Sequence, residues 1–297
     1  MRILITGSNG LLGQKLVMYC LHHQVDFLAT SRGENRNPDC PTSNYVTMDI
    51  TDKLEIQSVF QSYYPTHVIH TAAITNVDFC ELHPDECQVV NVEATAMLFE
   101  ASIEYRSHFV FLSTDFVFDG KTGYYKETDE VNPLSVYATS KVDAEKILLK
   151  SDYKKWTIAR TIIVYGRGHN MTRSNLILWA IDALTKGQPM NIIDDQFRMP
   201  TWADDLALGC MEICLREKEG IFHLCGPELM SIYEIVERVA KFLDKPMDHV
   251  KRISSTTLNQ PAKRPPRTGF DLTKSRKELE YSPKTLEETL DELVKNH

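Results

Sequence analysis

Tyr137 and Lys141 stand four residues apart in the run Tyr137-Ala138-Thr139-Ser140-Lys141. On a helix that spacing puts both side chains on one face, about one turn apart. An ammonium beside a phenol stabilises the phenolate. Tyr137 is therefore expected to release its proton more readily than a free tyrosine, whose pKa is near ~10. Such a group acts as a general acid or base in carbonyl–alcohol interconversion. Upstream, Ser113-Thr114-Asp115 closes a predicted strand, and the Thr114 hydroxyl is placed to meet the same oxygen. A Tyr and a Lys at this spacing also occur on many solvated helices, so the pair gains its weight from a second segment.

That segment is Gly7-Ser8-Asn9-Gly10-Leu11-Leu12-Gly13, preceded by the apolar run Arg2-Ile3-Leu4-Ile5-Thr6 and followed by helical periodicity to Leu21. A strand that breaks at Gly7 and re-forms as a helix after Gly10 presents free N–H groups and a positive dipole end to an anion. The missing side chains allow a tight turn at Gly7, backbone approach to a pyrophosphate at Gly10 and close helix–strand packing at Gly13. The spacing is G-x-x-G-x-x-G rather than the commoner G-x-G-x-x-G.

The elements that must position these groups alternate. Apolar, β-branched strands are predicted at 25–30, 45–48, 67–73, 108–113 and 156–164, with helices at 52–63, 84–105 and 135–150 between them. This is an α/β pattern, a doubly wound parallel sheet with helices on both faces, in which ligands bind beyond the carboxyl ends of the strands. Gly7, Asp49, Ala72, Ala73 and Thr114 all fall at such ends. After residue 165 the rhythm changes, with helices at 174–186, 203–217, 231–243 and 286–294, a short strand at 190–193 and a loop at 194–200. Residues 220–225 read as a further strand of the main sheet. The expected organisation is a Rossmann-type dinucleotide-binding domain over 1–165, with 200–225 returning to it. A smaller interleaved C-terminal substrate domain is expected over 166–199 and 226–297.

The 297 residues carry a net charge of −8 with no concentrated basic stripe, which disfavours nucleic acid as a partner. The locally basic stretch 251–267 reads as a solvated loop or a contact to an anionic substrate. No apolar run reaches membrane-spanning length, and the chain enters a strand at once, so neither a membrane anchor nor a signal peptide is expected. Seven cysteines, an odd number without C-x-x-C spacing, read as reduced thiols in a cytoplasmic protein. Cys210 and Cys214, one turn apart without nearby histidines, are expected in the core rather than on a metal.

The residue closing the second strand selects the dinucleotide. An acid there holds a ribose 2′-hydroxyl, whereas an arginine accommodates a 2′-phosphate. Here Ser31-Arg32 follows Thr30, with no acid before Glu34, which favours NADPH and leaves NADH open. Asp49-Ile50 is placed to meet the adenine edge, or Asp49 serves as a helix cap.

These segments carry a resemblance. The chain resembles the extended short-chain dehydrogenases/reductases, and within them the dTDP-4-dehydrorhamnose reductase family. The similarity rests on Gly7–Gly13, His70-Thr71-Ala72-Ala73, Asn91-Val92 and the specific run Ser113-Thr114-Asp115-Phe116-Val117-Phe118-Asp119-Gly120. It continues through Asn132-Pro133-Leu134-Ser135-Val136-Tyr137 to Lys141, Arg160-Thr161, Arg198-Met199-Pro200-Thr201 and Arg264-Pro265-Pro266-Arg267-Thr268. The resemblance implies Thr114, Tyr137 and Lys141 as the catalytic set. Hydride would pass from the nicotinamide to a nucleotide-linked 4-keto-6-deoxy sugar, with the proton coming from Tyr137 and the nicotinamide ribose held by Lys141. It implies cofactor contacts from Gly7 to Gly13, Ser31, Arg32, Asp49, Ile50, Ala72, Ala73, Thr75 and Asn91. Asn91 reads equally as a polar helix residue facing solvent. Implied substrate contacts are Val77, Asp78, Thr114, Asp115, Arg198, Pro200 and Arg264, with Arg198 or Arg264 on a diphosphate. A homodimer follows by family analogy alone.

The chain departs from the family at two places. The family's tryptophan is missing from Thr161-Ile162-Ile163-Val164-Tyr165, which leaves the sugar open. An acid that serves a metal site in some members is replaced by Gln14-Lys15, so no bound metal is expected. Dehydratases of the same fold use Thr-Asp-Glu where this chain has Thr114-Asp115-Phe116, and Phe116 cannot shuttle protons. Epimerases favour an acid after the second strand. A non-catalytic NADP-binding subunit resembling the methionine adenosyltransferase beta subunit is the alternative of a different class.

Overall fold

The computed structural model describes residues 1–295. Positions 296 and 297, the last two of the expected substrate domain, lie outside the described residues. Among these residues the main sheet has seven strands, all parallel, in the order Gly220–His223, Trp156–Thr161, His108–Thr114, His67–His70, Arg2–Thr6, Asp26–Ser31, Tyr45–Thr47. Strand order reverses between Arg2–Thr6 and His67–His70, which opens a crevice at their carboxyl ends. The chain is thus an α/β protein of Rossmann type.

Alternation along the strands sorts side chains to two faces. Ile3, Ile5, Ile69, Val110 and Ala159 pack under helices Leu11–His22 and Ala203–Leu215. Leu4, Val68, Phe109, Phe111 and Ile158 pack under helices Lys53–Tyr63, Ala94–Glu104 and Val136–Leu149. Cys210 and Cys214 lie in the first of these cores, and burial pushes the Cys210 thiol up to about 12. A separate core joins helices Leu176–Thr185, Ile232–Phe242 and Leu286–Val294 to the strand Met190–Ile193.

Several expected elements are cut differently. The predicted strand 156–164 ends at Thr161. Ile163 takes a left-handed φ of 33°, and Val164–Tyr165 pairs instead with Thr201–Trp202. The strand expected over 67–73 stops at His70, and beyond it Asn91 holds the backbone of Ile74. The helix expected over 84–105 contains a π-helical turn, Val89–Glu93, between Pro84–Gln88 and Ala94–Glu104. Helices Val77–Leu82 and Thr273–Leu279 have too few periodic residues to be read from the sequence. Among the described residues no helix is long and apolar enough to cross a membrane.

Candidate active site

The glycine turn is held by contacts that leave its anion-facing groups free. Gly7 takes φ +72°, and a Cβ on Gly13 would sit 2.5 Å from the Gly7 carbonyl oxygen and from Ser8 Cα, so neither position admits a side chain. Ser8 N donates to Thr30 O and Asn9 N to Ser31 Oγ, tying the turn to the end of the second strand. Helix Leu11–His22 starts at Gly10 with no side-chain cap and no acid in its first turn. Among the described residues the Ser8 hydroxyl is buried without a hydrogen-bond partner. Uncapped N–H groups, an unmatched hydroxyl and a Cβ-free cradle fit a dinucleotide pyrophosphate.

Around the turn, Arg32 is exposed at the strand end; the Asp49 pKa is lowered chiefly by the hydrogen bond from Thr51 N, then by the Thr51 hydroxyl, with the field of Arg32 a smaller contribution. Asp49 itself accepts from Thr51 N and Thr51 Oγ1, while Asp52, not Asp49, caps the following helix. Ile50 is buried in the core beside Met48. Gln14 is also buried. It exchanges hydrogen bonds with the His169 backbone at 2.8 and 2.7 Å and so fastens the loop after Gly166 over the turn. Lys15 pairs with Asp204 at 3.1 Å.

The catalytic candidates meet at the neighbouring strand ends. Thr114 closes His108–Thr114 and accepts from Phe116 N. Ser135 caps helix Val136–Leu149 through Ala138 N, which sets Tyr137 in the first turn and Lys141 one turn on. Both side chains are buried. The Thr114 hydroxyl lies near enough to the Tyr137 phenol to favour its ionised form, but burial is larger and raises the Tyr137 pKa. Lys141 points its Nζ at the face of Phe111, 4.0 Å from the ring centre, and burial pulls its pKa to about 7. The expectation of a readily ionised Tyr137 is therefore corrected. Desolvation outweighs the help of the Thr114 hydroxyl, and the phenol keeps its proton.

Asn91 does not face solvent. From the π-helical turn its amide accepts from Ile74 N at 2.8 Å and donates to Ile74 O and Ser140 Oγ. Ser140 donates to the Tyr137 carbonyl. Asn91 thus pins the 71–76 loop, with Ala72, Ala73 and exposed Thr75, to helix Val136–Leu149.

Two expected substrate residues are corrected. Arg198 is buried, its Nε 3.5 Å from Asp115, and its remaining N–H groups go to the carbonyls of Phe197, Pro265 and Pro266 and to Gln196. No donor is left for a diphosphate. Asp115 is equally occupied, accepting from Thr114 and Thr268. It lies behind Thr114 rather than facing a ligand. Pro200 is buried, with its carbonyl against Gly226. Asp78, on the short helix that begins at Val77, forms a two-point ion pair with Arg264 at 3.1 and 2.7 Å. These two expected substrate residues are each other's partner. Phe116 lies edge-on to Tyr137, with ring centres 6.1 Å apart. Sequence reasoning missed the buried Glu145–Arg160 pair behind Lys141. The i+4 spacing of Glu145 from Lys141 was its one visible sign.

A family model described as the RmlD substrate binding domain matches residues 1–297. A dTDP-4-dehydrorhamnose reductase of Aggregatibacter actinomycetemcomitans is 32% identical over 95% of this chain and 94% of that protein. The methionine adenosyltransferase 2 subunit beta of Danio rerio is 30% identical over 89% of this chain and 80% of that protein. The crystal structure of a dTDP-4-dehydrorhamnose reductase from Bacillus anthracis, in complex with NADP, superposes with a TM-score of 0.83 at 25% identity, covering 100% of this chain and 99% of that one. With the glycine turn and the Thr114, Tyr137 and Lys141 arrangement in place, the chain belongs to the RmlD substrate binding domain family, the family of the dTDP-4-dehydrorhamnose reductases.

Proposed function

We propose that this protein is an NADPH-dependent reductase of a nucleotide-linked 4-keto-6-deoxy sugar, with dTDP-4-dehydrorhamnose as its substrate. The observation that carries the reading is the convergence of Thr114, Tyr137 and Lys141 at strand ends beside an uncapped glycine turn. The NADP named with the Bacillus anthracis relative supports the choice of dinucleotide. When bound, NADPH supplies the hydride that reduces the keto carbon.

The chain's own groups do the rest. Residues 7–13 hold the pyrophosphate, Ser31 and Arg32 the 2′-phosphate, and Asp49 and Ile50 border the adenine. Ala72, Ala73 and Thr75 line the nicotinamide side, on the loop that Asn91 fixes. Thr114 orients the substrate oxygen. Tyr137, whose burial keeps the phenol protonated, delivers its proton to that oxygen, and the Lys141 ammonium stabilises the phenolate left behind. A raised tyrosine pKa suits the reductive direction, in which the side chain must arrive carrying its proton. Val77, Asp78, Pro200 and Arg264 border the sugar nucleotide, and residues 166–199 and 226–295 form the substrate-holding unit.

Transfer of deuterium from 4-deuterated NADPH to carbon 4 of the sugar tests this reading, and label retained entirely in the coenzyme would count against it. A second reading has one observation in its favour, the 30% identity to a methionine adenosyltransferase beta subunit. It predicts NADPH binding without label transfer.

A further inference from the structure

Helix Val136–Leu149 carries a third buried ionisable group behind Tyr137 and Lys141. Glu145 follows Lys141 by four residues, so the three side chains rise in series along one side of the helix. From the neighbouring strand, Arg160 donates through Nε to Glu145 Oε1 at 2.9 Å and through Nη2 to Oε2 at 2.6 Å. Both side chains are 2% exposed. A pair so placed has given up the hydration of two ions and is often no more stable than apolar residues of equal volume. Its position beneath the catalytic helix therefore calls for a role that apolar packing would not fill.

The surroundings of Lys141 supply that role. The strand His108–Thr114 offers it the face of Phe111, and Asp115 at that strand's end is taken up by Arg198 and Thr268. His70, on the adjacent strand, is neutral and bonded to Thr6 and Thr95. Helix Pro84–Gln88 offers the Cys87 thiol, and Lys141's own helix, Val136–Leu149, offers Tyr137 and Glu145. Burial disfavours the ammonium, and the largest opposing influence is the Glu145 carboxylate. Arg160, on the far side of that carboxylate, holds it in one orientation with two hydrogen bonds.

We propose that Glu145, locked in place by Arg160, is a positioning residue that keeps Lys141 in its ammonium form beside Tyr137. The proposal rests on the reading that Lys141 works with Tyr137, but its test does not. Protein labelled with 13C at lysine Cε is titrated by NMR, with the Lys141 signal assigned by its loss in Lys141→Met. In Glu145→Gln the Lys141 midpoint is expected to fall by about one pH unit, a roughly tenfold loss of proton affinity. Glu145→Gln leaves Arg160 buried without its partner. The double variant Glu145→Gln/Arg160→Met removes that stranded cation and is expected to show the same direction of shift in a folded protein.

An unmoved or raised midpoint in the double variant would overturn the proposal. In the reductase assay the same variants should lose activity at a correspondingly lower pH on the alkaline side, a displacement that loss of packing alone does not produce. If the midpoint falls as expected while no keto sugar is ever reduced, the functional reading fails and the role of Glu145 in holding the charge stands.

Discussion

Arg198 and Asp115 face each other at 3.5 Å with both side chains shielded from solvent, one on the short strand Phe197–Arg198 that interrupts the loop expected over 194–200 and pairs with Met230–Ser231, the other at the end of the strand that carries Thr114. Through this pair and the carbonyls of Pro265 and Pro266, the C-terminal loop is fastened to the back of the strand that carries Thr114. Gly120 completes the joint. Its φ of +79° and the 2.8 Å approach of Pro265 and Pro266 to a would-be Cβ leave no room for another residue.

Arg198→Met should therefore act on stability. Stranding the Asp115 carboxylate costs about 3–5 kcal/mol, measurable by urea unfolding. A loss below about 1 kcal/mol, accompanied by a large rise in KM alone, would return Arg198 to the substrate.

This joint shows what the sequence could and could not reveal. The parallel sheet, its two-faced alternation and the glycine turn were legible because they depend on period and local backbone demands, as in Ile3, Leu4 and Ile5 pointing to alternate cores. Arg198 was misread because an arginine's partner is set by tertiary contact, and nothing near it in sequence announces Asp115. The π-helical turn that aims Asn91 inward was hidden for the same reason, since the helical pattern of 84–105 runs straight through it. Tyr137 and Lys141 were found by spacing, but their protonation depends on burial, which spacing does not report.

Gly13→Ala tests the turn. The added Cβ would meet backbone at 2.5 Å on two sides, and backbone cannot rotate away as a side chain can. NADPH affinity should fall at least about tenfold, read by quenching of protein fluorescence, because the helix N-terminus must back away from the pyrophosphate. Unchanged affinity would place the dinucleotide elsewhere.

Arg32 is the exposed cation nearest the end of the second strand. Arg32→Ala removes charge-assisted hydrogen bonds worth about 1.5–3 kcal/mol, so NADPH affinity should drop roughly 10- to 100-fold while NADH affinity stays level. Equal losses for both coenzymes would show that Arg32 does not read the 2′-phosphate.

Acid sensitivity follows from four buried histidines, His67, His70, His108 and His223, each with its pKa lowered by burial. Burial holds His70 at about 3 and His108 at about 4, against an ordinary value of 6.5. Between those values the unfolded chain binds protons that the folded chain refuses. Stability therefore falls as pH drops from about 6.5 toward 4. His108→Gln removes one of these protons from the balance, so its stability should decline less steeply than that of the unsubstituted protein over that window. Parallel declines would assign the acid sensitivity to other groups.

The most direct measurement mixes the purified protein with NADPH and dTDP-4-keto-6-deoxyhexose and follows the reduced-nicotinamide absorbance, with Tyr137→Phe alongside. The account predicts steady NADPH oxidation that falls by roughly two to four orders of magnitude in Tyr137→Phe, with NADPH affinity little changed. Tight NADPH binding without oxidation across a panel of nucleotide-linked keto sugars, or unchanged turnover in Tyr137→Phe, would contradict it.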